Sequence, residues 1–197
     1  MEFVSPDLAA SLVEDPSASP LQLLEKHFGY NSFRPGQRDV IDHVLAGNDA
    51  VVLMPTGGGK SLCYQVPALA MDGLTVVLSP LIALMKDQVQ ALQANGIAAA
   101  FLNSTLTFPE EQAIEAQLRS GAMKLLYVSP ERLFAQGFLE RLENWNVRLF
   151  AIDEAHCISS WGHAFRPEYK RLDILKKRLP QVPLIALTAT ADKAVRN

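Results

Sequence analysis

Residues 50–61 read AVVLMPTGGGKS. An apolar run, AVVLM (50–54), ends in a glycine-rich turn and a Lys-Ser pair, and LCYQVPALA continues with helical character. Gly57, Gly58 and Gly59 carry no Cβ, so the backbone N–H groups of such a turn are free to close around phosphate oxygens. A helix predicted to begin at Lys60 adds the positive end of its dipole. In this strand–loop–helix context the Lys60 ammonium suits the β- and γ-phosphates of a nucleotide. The Ser61 hydroxyl suits a Mg²⁺ ion, and Thr56 completes the loop. Met54 stands where the strict pattern has glycine, so the match is to a variant of the motif.

Outward from the loop, strand and helix signals alternate. LTVVLS (74–79), AAAFLN (98–103), KLLYVS (124–129), VRLFAID (147–153) and PLIALTA (183–189) are short apolar runs like AVVLM. Several are apolar throughout, as strands covered on both faces are. Helical stretches separate them. Leu81, Leu84, Met85, Val89 and Leu92 fall on one stripe, closed by Asn95-Gly96. Ahead of the loop, Ser19 caps a predicted helix opening at Pro20, with Leu21, Leu24 and Phe28 on one face and Gly29 as its stop. A loop over residues 30–36 leads to a second helix ending near Gly47. Six strands alternating with helices predict an α/β fold, a parallel doubly wound sheet with helices on both faces. Residues 1–19, with four acids and no base, read as a flexible arm, and residues 20–197 as one domain. A last helix is predicted from Ala191, six residues before the end of the chain.

LFAIDEAH (149–156) complements the phosphate loop. Its strand delivers Asp153 and Glu154 to a C-terminal strand end, where ligands bind in such sheets. Asp153 suits support of Mg²⁺, and Glu154 suits alignment and deprotonation of an attacking water. That is the equipment of a hydrolase. A nucleotide kinase has no use for a water-activating glutamate there.

Composition narrows the field. Hydrophobic residues make up 49% and charged residues 20%, enough for a packed core in a chain of 197 residues. The formal charge of −3 argues against a uniformly basic, nucleic-acid-coating surface but leaves room for a basic groove. Two cysteines, Cys63 and Cys157, make neither a disulfide framework nor a zinc cage, and are expected as small buried apolar residues. His156, Cys157 and His163 lack a fourth ligand, so no zinc is expected in this chain. No apolar run is long enough to span a membrane, and the acidic N-terminus has no secretory pattern.

Six segments in order, GYNSFRPGQ (29–37), MPTGGGKSLCYQ (54–65), SPLIALMKDQV (79–89), SPERL (129–133), DEAHCISSWGHAFRPEY (153–169) and ALTATA (186–191), closely resemble the RecQ DNA helicases, a branch of helicase superfamily 2. The resemblance covers about residues 20–197 and implies the first of two RecA-like motor lobes, a P-loop NTPase fold. It implies ATP with Mg²⁺ as cofactors, and 3′→5′ translocation on single-stranded and partially duplex DNA in repair and recombination. It also implies an adenine pocket, with Tyr30 and Arg34 sandwiching the ring and Gln37 hydrogen-bonding its edge. A carboxamide offers one donor and one acceptor, which matches that edge. The second lobe with its arginine finger, and the zinc-binding and winged-helix regions common in the family, have no counterpart in these 197 residues. They would be partners, and this lobe alone is expected to bind ATP and single-stranded DNA weakly and to be nearly inactive. A monomer is expected, in the bacterial cytoplasm near the nucleoid, or in the nucleus of a eukaryote.

Directly after the carboxylates, His156, Trp161, His163, Phe165, Arg166 and Tyr169 form an aromatic and basic stretch. Aromatics stack on bases and Arg holds phosphate, so a DNA-sensing loop joined to the hydrolytic glutamate is expected, with Trp161 and Arg166 its main members. Ser160 and Ala164 stand where the family usually has Gln and Asp. Thr188 and Thr190 are expected to link hydrolysis to movement between lobes. Ser79, Pro80, Ser129 and Glu131 sit at strand ends, where the resemblance implies backbone contact with DNA phosphates and helix capping explains each equally well. Lys170, Arg171, Lys176, Lys177 and Arg178 read most simply as a solvated helix face. The rival readings are a complete small nucleotide kinase and a non-catalytic DNA-binding module; the acidic balance disfavours the second.

Overall fold

The computed structural model describes residues 18–55, 57–103, 105–158 and 171–189. All six expected strands form: β1 Ala50–Leu53, β2 Leu74–Leu78, β3 Ala99–Leu102, β4 Leu125–Val128, β5 Val147–Ile152 and β6 Leu184–Thr188. They make one sheet in the order β1-β6-β5-β2-β4-β3, and every pairing is parallel. The helices are α1 Pro20–Phe28, α2 Gln37–Leu45, α3 Leu62–Ala70, α4 Ile82–Ala94, α5 Phe108–Arg119, α6 Pro130–Leu133, α7 Phe138–Leu142 and α8 Asp173–Arg178. A 3₁₀ turn over Ala155–Ile158 follows β5.

The strands read as continuous apolar runs because alternate residues enter different cores. On β2, Leu74, Val76 and Leu78 join one cluster with Phe150 and Ile152 of β5, while Val77 joins the other with Tyr127, Leu149 and Ile185. All residues of β2 and β4 are buried. Such two-sided burial, at ~1.5–3 kcal/mol per large apolar side chain, is the main force holding the sheet.

Local signals act as read at most boundaries. Ser19 and Gln22 form a reciprocal capping box on α1, and Gly29 ends it in the left-handed region at φ 72°. The buried face of α1 differs by one position: Leu23 and Leu24 face the core, whereas Leu21 turns outward. The stripe on α4 is likewise shorter than expected. Met85, Val89 and Leu92 are buried, but Leu81 precedes the helix and is 49% exposed. Leu84 is only half-buried. The phosphate-loop helix starts at Leu62 instead of Lys60, so Lys60 and Ser61 belong to the turn before it. A residue whose N–H has no intrahelical partner is a poor sequence marker of the first turn.

Four members of the basic cluster at α8 have partners within the chain, while Lys170 lies outside the described residues. Lys176 pairs with Asp49 at 2.9 Å, Lys177 with Asp173 at 2.6 Å, and Arg178 with Glu143 at 2.8 Å and Glu140 at 3.2 Å. Arg171 lies over the Phe134 ring at 4.2 Å. Among the described residues no helix is long and apolar enough to cross a membrane.

Candidate active site

The carboxyl ends of all six strands lie along one edge of the sheet, because every strand runs the same way. The phosphate loop leaves β1 there, Asp153 and Glu154 leave β5, and Thr188 closes β6 between them. The ladder continues just past the strand ends: Met54 N–H donates to Thr188 O at 3.1 Å, and Asp153 N–H to Leu78 O at 2.8 Å. The site is therefore pinned to the sheet by backbone bonds at both of its halves.

In the loop, Gly57 and Gly59 have φ of 76° and 80°, a region that side-chain-bearing residues rarely adopt. A Cβ on Gly59 would collide with the Gln37 amide, which donates from Nε2 to Gly59 O at 3.0 Å. Gln37 Oε1 accepts from the Arg34 N–H at 2.8 Å, and Arg34 Nη1 donates to Gly57 O. Arg34 and Gln37, expected at the adenine, thus brace the phosphate loop. Gln37 is only 1% exposed, while Tyr30 is 53% exposed. No feature of the sequence signalled the bracing role, because α2 and the loop meet only in the tertiary structure.

Asp153 is buried and its Oδ1 accepts from the Glu154 N–H at 2.9 Å. Burial, and then the charge of Glu154, push its carboxyl up from 3.8 to about 6. The Glu154 N–H bond and the charges of Lys60 and His156 oppose that rise. Glu154 is the only non-glycine residue with positive φ among the described residues, at 51°. The left-handed conformation costs it about 1–2 kcal/mol. Its Oε2 lies 3.1 Å from His156 Nδ1. A carboxylate can only accept, so Nδ1 carries the proton in this contact. Thr188 Oγ1 stands 3.5 Å from the same nitrogen, at the outer limit of a hydrogen bond.

This donor set fits Mg²⁺. A buried carboxylate, Asp153, stands on the same edge as the Ser61 hydroxyl, and Mg²⁺ typically takes one or two protein oxygens beside phosphates and water. Among the described residues no three His, Cys, Asp or Glu side chains converge on a metal position. Cys63 is buried, and burial pushes its thiol up to about 11, which leaves it an apolar filler. Ser129 caps α6 by accepting the Arg132 N–H at 3.3 Å, and Ser79 Oγ accepts the Leu81 N–H at 3.5 Å. Thr56, Trp161, His163, Phe165, Arg166 and Thr190 lie outside the described residues, as does the Cys157 side chain.

A carboxylate raised from 3.8 to about 6 burdens the fold once ionised. The folded form then holds its proton longer than the unfolded chain, so stability falls as pH rises through that window and stays low above it. Asp153→Asn should stabilise the metal- and nucleotide-free chain at pH 7.5 by on the order of 2 kcal/mol. The gain should shrink towards zero near pH 4. Denaturant melts across pH check this; a gain independent of pH would assign the effect to packing.

Comparisons with known proteins speak to the family and the fold. A family model described as DEAD/DEAH box helicase matches residues 34–197. An ATP-dependent DNA helicase RecQ of Haemophilus influenzae is 56% identical over 190 residues, 96% of this chain and 30% of the relative. One from Bacillus subtilis is 51% identical over 177 residues, 89% of this chain and again 30% of the relative. The chain thus spans under a third of the length of these curated relatives. Among solved structures, the Mycobacterium smegmatis helicase Lhr bound to single-stranded DNA and AMP-PNP superposes with a TM-score of 0.67 at 23% identity. It covers 89% of this chain and 26% of that one, a likeness of fold.

Proposed function

The chain belongs to the DEAD/DEAH box helicase family, and we propose that it is the nucleotide-binding motor lobe of an ATP-dependent 3′→5′ DNA helicase of RecQ type. The observation that carries this reading is that the loop with Lys60 follows β1 and the Asp153–Glu154 pair follows β5 on one edge of the sheet, with Thr188 at the end of the intervening β6. Lys60 holds the β- and γ-phosphates, and the glycine loop, braced by Arg34 and Gln37, wraps them. Ser61 and Asp153 hold the Mg²⁺, which neutralises phosphate charge when bound. Glu154, oriented by His156, takes the proton of the attacking water at a carboxylate oxygen. Thr188 touches the same imidazole, so a change at β6 reaches the hydrolytic carboxylate through one ring. Tyr30 and Arg34 hold the adenine faces. Gln37 keeps one N–H and one lone pair for the adenine edge beside its two loop-bracing bonds. Trp161, His163, Phe165 and Arg166 meet single-stranded DNA, and Thr190 joins Thr188 in coupling to a second lobe. In the whole protein this lobe works as a monomer on single-stranded and partly duplex DNA in repair and recombination. Its place is with the chromosome, in the bacterial cytoplasm or a eukaryotic nucleus.

Nucleotide binding to the 197-residue chain tests this. Lys60→Ala should weaken ATP·Mg²⁺ binding by about tenfold or more by removing a charge-assisted contact. Gln37→Ala should do two things at once. It should lower phosphate affinity, because the loop loses its brace, and narrow the ATP-over-GTP preference, because the base loses a partner. An intact ATP/GTP ratio would remove Gln37 from the adenine site, and unchanged binding in Lys60→Ala would remove the loop from nucleotide binding.

A further inference from the structure

On the edge strand β1 the apolar covering of the sheet is one-sided. Val52 belongs to the cluster that holds Ile41 and Val44 of α2, so one face of β1 is covered. Val51 and Leu53 alternate to the other face and are 58% and 51% exposed. Among the described residues they are the only large apolar strand residues so exposed. Their register partners on β6 are Ala186 and Thr188. Ala186 is buried in the cluster that holds Leu172 and Leu175 at α8. The covering on this face therefore stops at β6, one strand short of the edge.

We propose that residues 190–197 dock on this face of β1, laying Ala191, Ala194 and Val195 over Val51 and Leu53. The segment starts beside the patch. Thr188 is the register partner of Leu53 and its carbonyl accepts the Met54 N–H at 3.1 Å, so the chain leaves β6 one strand spacing, ~4.8 Å, from β1. The pattern fits as well. Ala191, Ala194 and Val195 have the i, i+3, i+4 spacing of one helix face, with Asp192, Lys193 and Arg196 on the other. Residues 190–197 would span ~12 Å as a helix, and the four-residue strand beneath spans ~13 Å. The hand of the fold selects the same face. The connection from β1 to β2 steps away from this edge, and its helix α3 lies in the Val52 cluster. The connection from β5 to β6 steps towards the edge, and α8 lies in the opposite cluster. One hand of crossover accounts for both, and a helix continuing from β6 towards the edge in that hand meets Val51 and Leu53. Residues 1–17 instead join the described chain near α1, whose Leu23 and Leu24 share the Val52 cluster. Leu53 immediately precedes Met54, so docking here also backs the strand that carries the phosphate loop.

The test is a double-mutant cycle in the full 197-residue chain, read by urea unfolding at two protein concentrations. Leu53→Thr keeps a side chain suited to a strand but removes apolar surface, and Val195→Asp puts a charge on the docking face. Each alone should raise the unfolding equilibrium constant by about tenfold, the loss of one buried apolar group. Together they should cost well under about 100-fold, because the second change removes a contact the first has already broken. Lys193→Asp, on the opposite helix face, should alter the constant by less than about 2-fold. Fully multiplicative losses from Leu53→Thr and Val195→Asp would give the patch another cover, such as residues 1–17, and overturn the proposal. A Leu53→Thr chain as stable as the unaltered one would leave the face bare and overturn it too. A penalty that depends on protein concentration would make the occupant a second copy, with the same consequence. Should Leu53→Thr fail to fold, Val51→Thr takes its place in the cycle on the same criteria.

Discussion

Replacing Glu154 by glutamine should leave ATP·Mg²⁺ affinity essentially unchanged and lower turnover by on the order of 10²–10⁴, measured with a second motor lobe present. The amide preserves the shape, and its oxygen still accepts from His156 Nδ1, the 3.1 Å contact that aims the side chain. It cannot take a proton from water. Removing its charge also relieves Asp153, whose carboxyl Glu154 helps to raise. Binding should therefore hold or tighten slightly. Single-turnover hydrolysis with separate equilibrium binding distinguishes the outcomes: loss of binding would make Glu154 a structural or metal-holding residue, and retained turnover would place the base elsewhere.

The second large effect concerns the 197 residues on their own. They should bind ATP·Mg²⁺, hydrolyse it on the order of 10³–10⁵ more slowly than the same lobe joined to a second one, and unwind no duplex. The described site holds phosphate-side and water-side groups, Lys60 and Glu154, but among the described residues Arg34 is the arginine bonded to the phosphate loop, through Gly57 O. A cation arriving from a second lobe would supply the missing stabilisation of transition-state charge. ATPase assays with saturating single-stranded DNA check this. Turnover by the isolated chain equal to that of a complete two-lobed enzyme would mean the lobe is self-sufficient.

Much of this protein is legible without coordinates. The six strands, the α1 cap at Ser19 and its stop at Gly29, the phosphate loop and the carboxylate pair rest on short-range effects: apolar runs, capping hydrogen bonds, glycine's freedom at positive φ. Such effects act within a few residues and leave a pattern where they act. The Tyr64-Gln65 pair is an intermediate case. Two polar residues in the otherwise apolar LCYQVPALA were a visible signal, yet their partners Tyr127 and Gln88 lie far along the chain.

What the tertiary structure alone decided is who stands beside whom. Strand order places β6 between β1 and β5, so Thr188 reaches His156 and the two halves of the site face each other across one strand. The same folding carries α2 onto the loop, where the Gln37 amide bonds Gly59 and Arg34. It also sets Glu154 in the left-handed region at φ 51°, a conformation no local preference of glutamate selects. The physical reason is common to all three. Helix and strand signals come from neighbours in sequence, whereas strand order, buried hydrogen-bond partners and tolerated strain are chosen by the packing of distant segments, whose summed burial outweighs any local preference of about 1–2 kcal/mol.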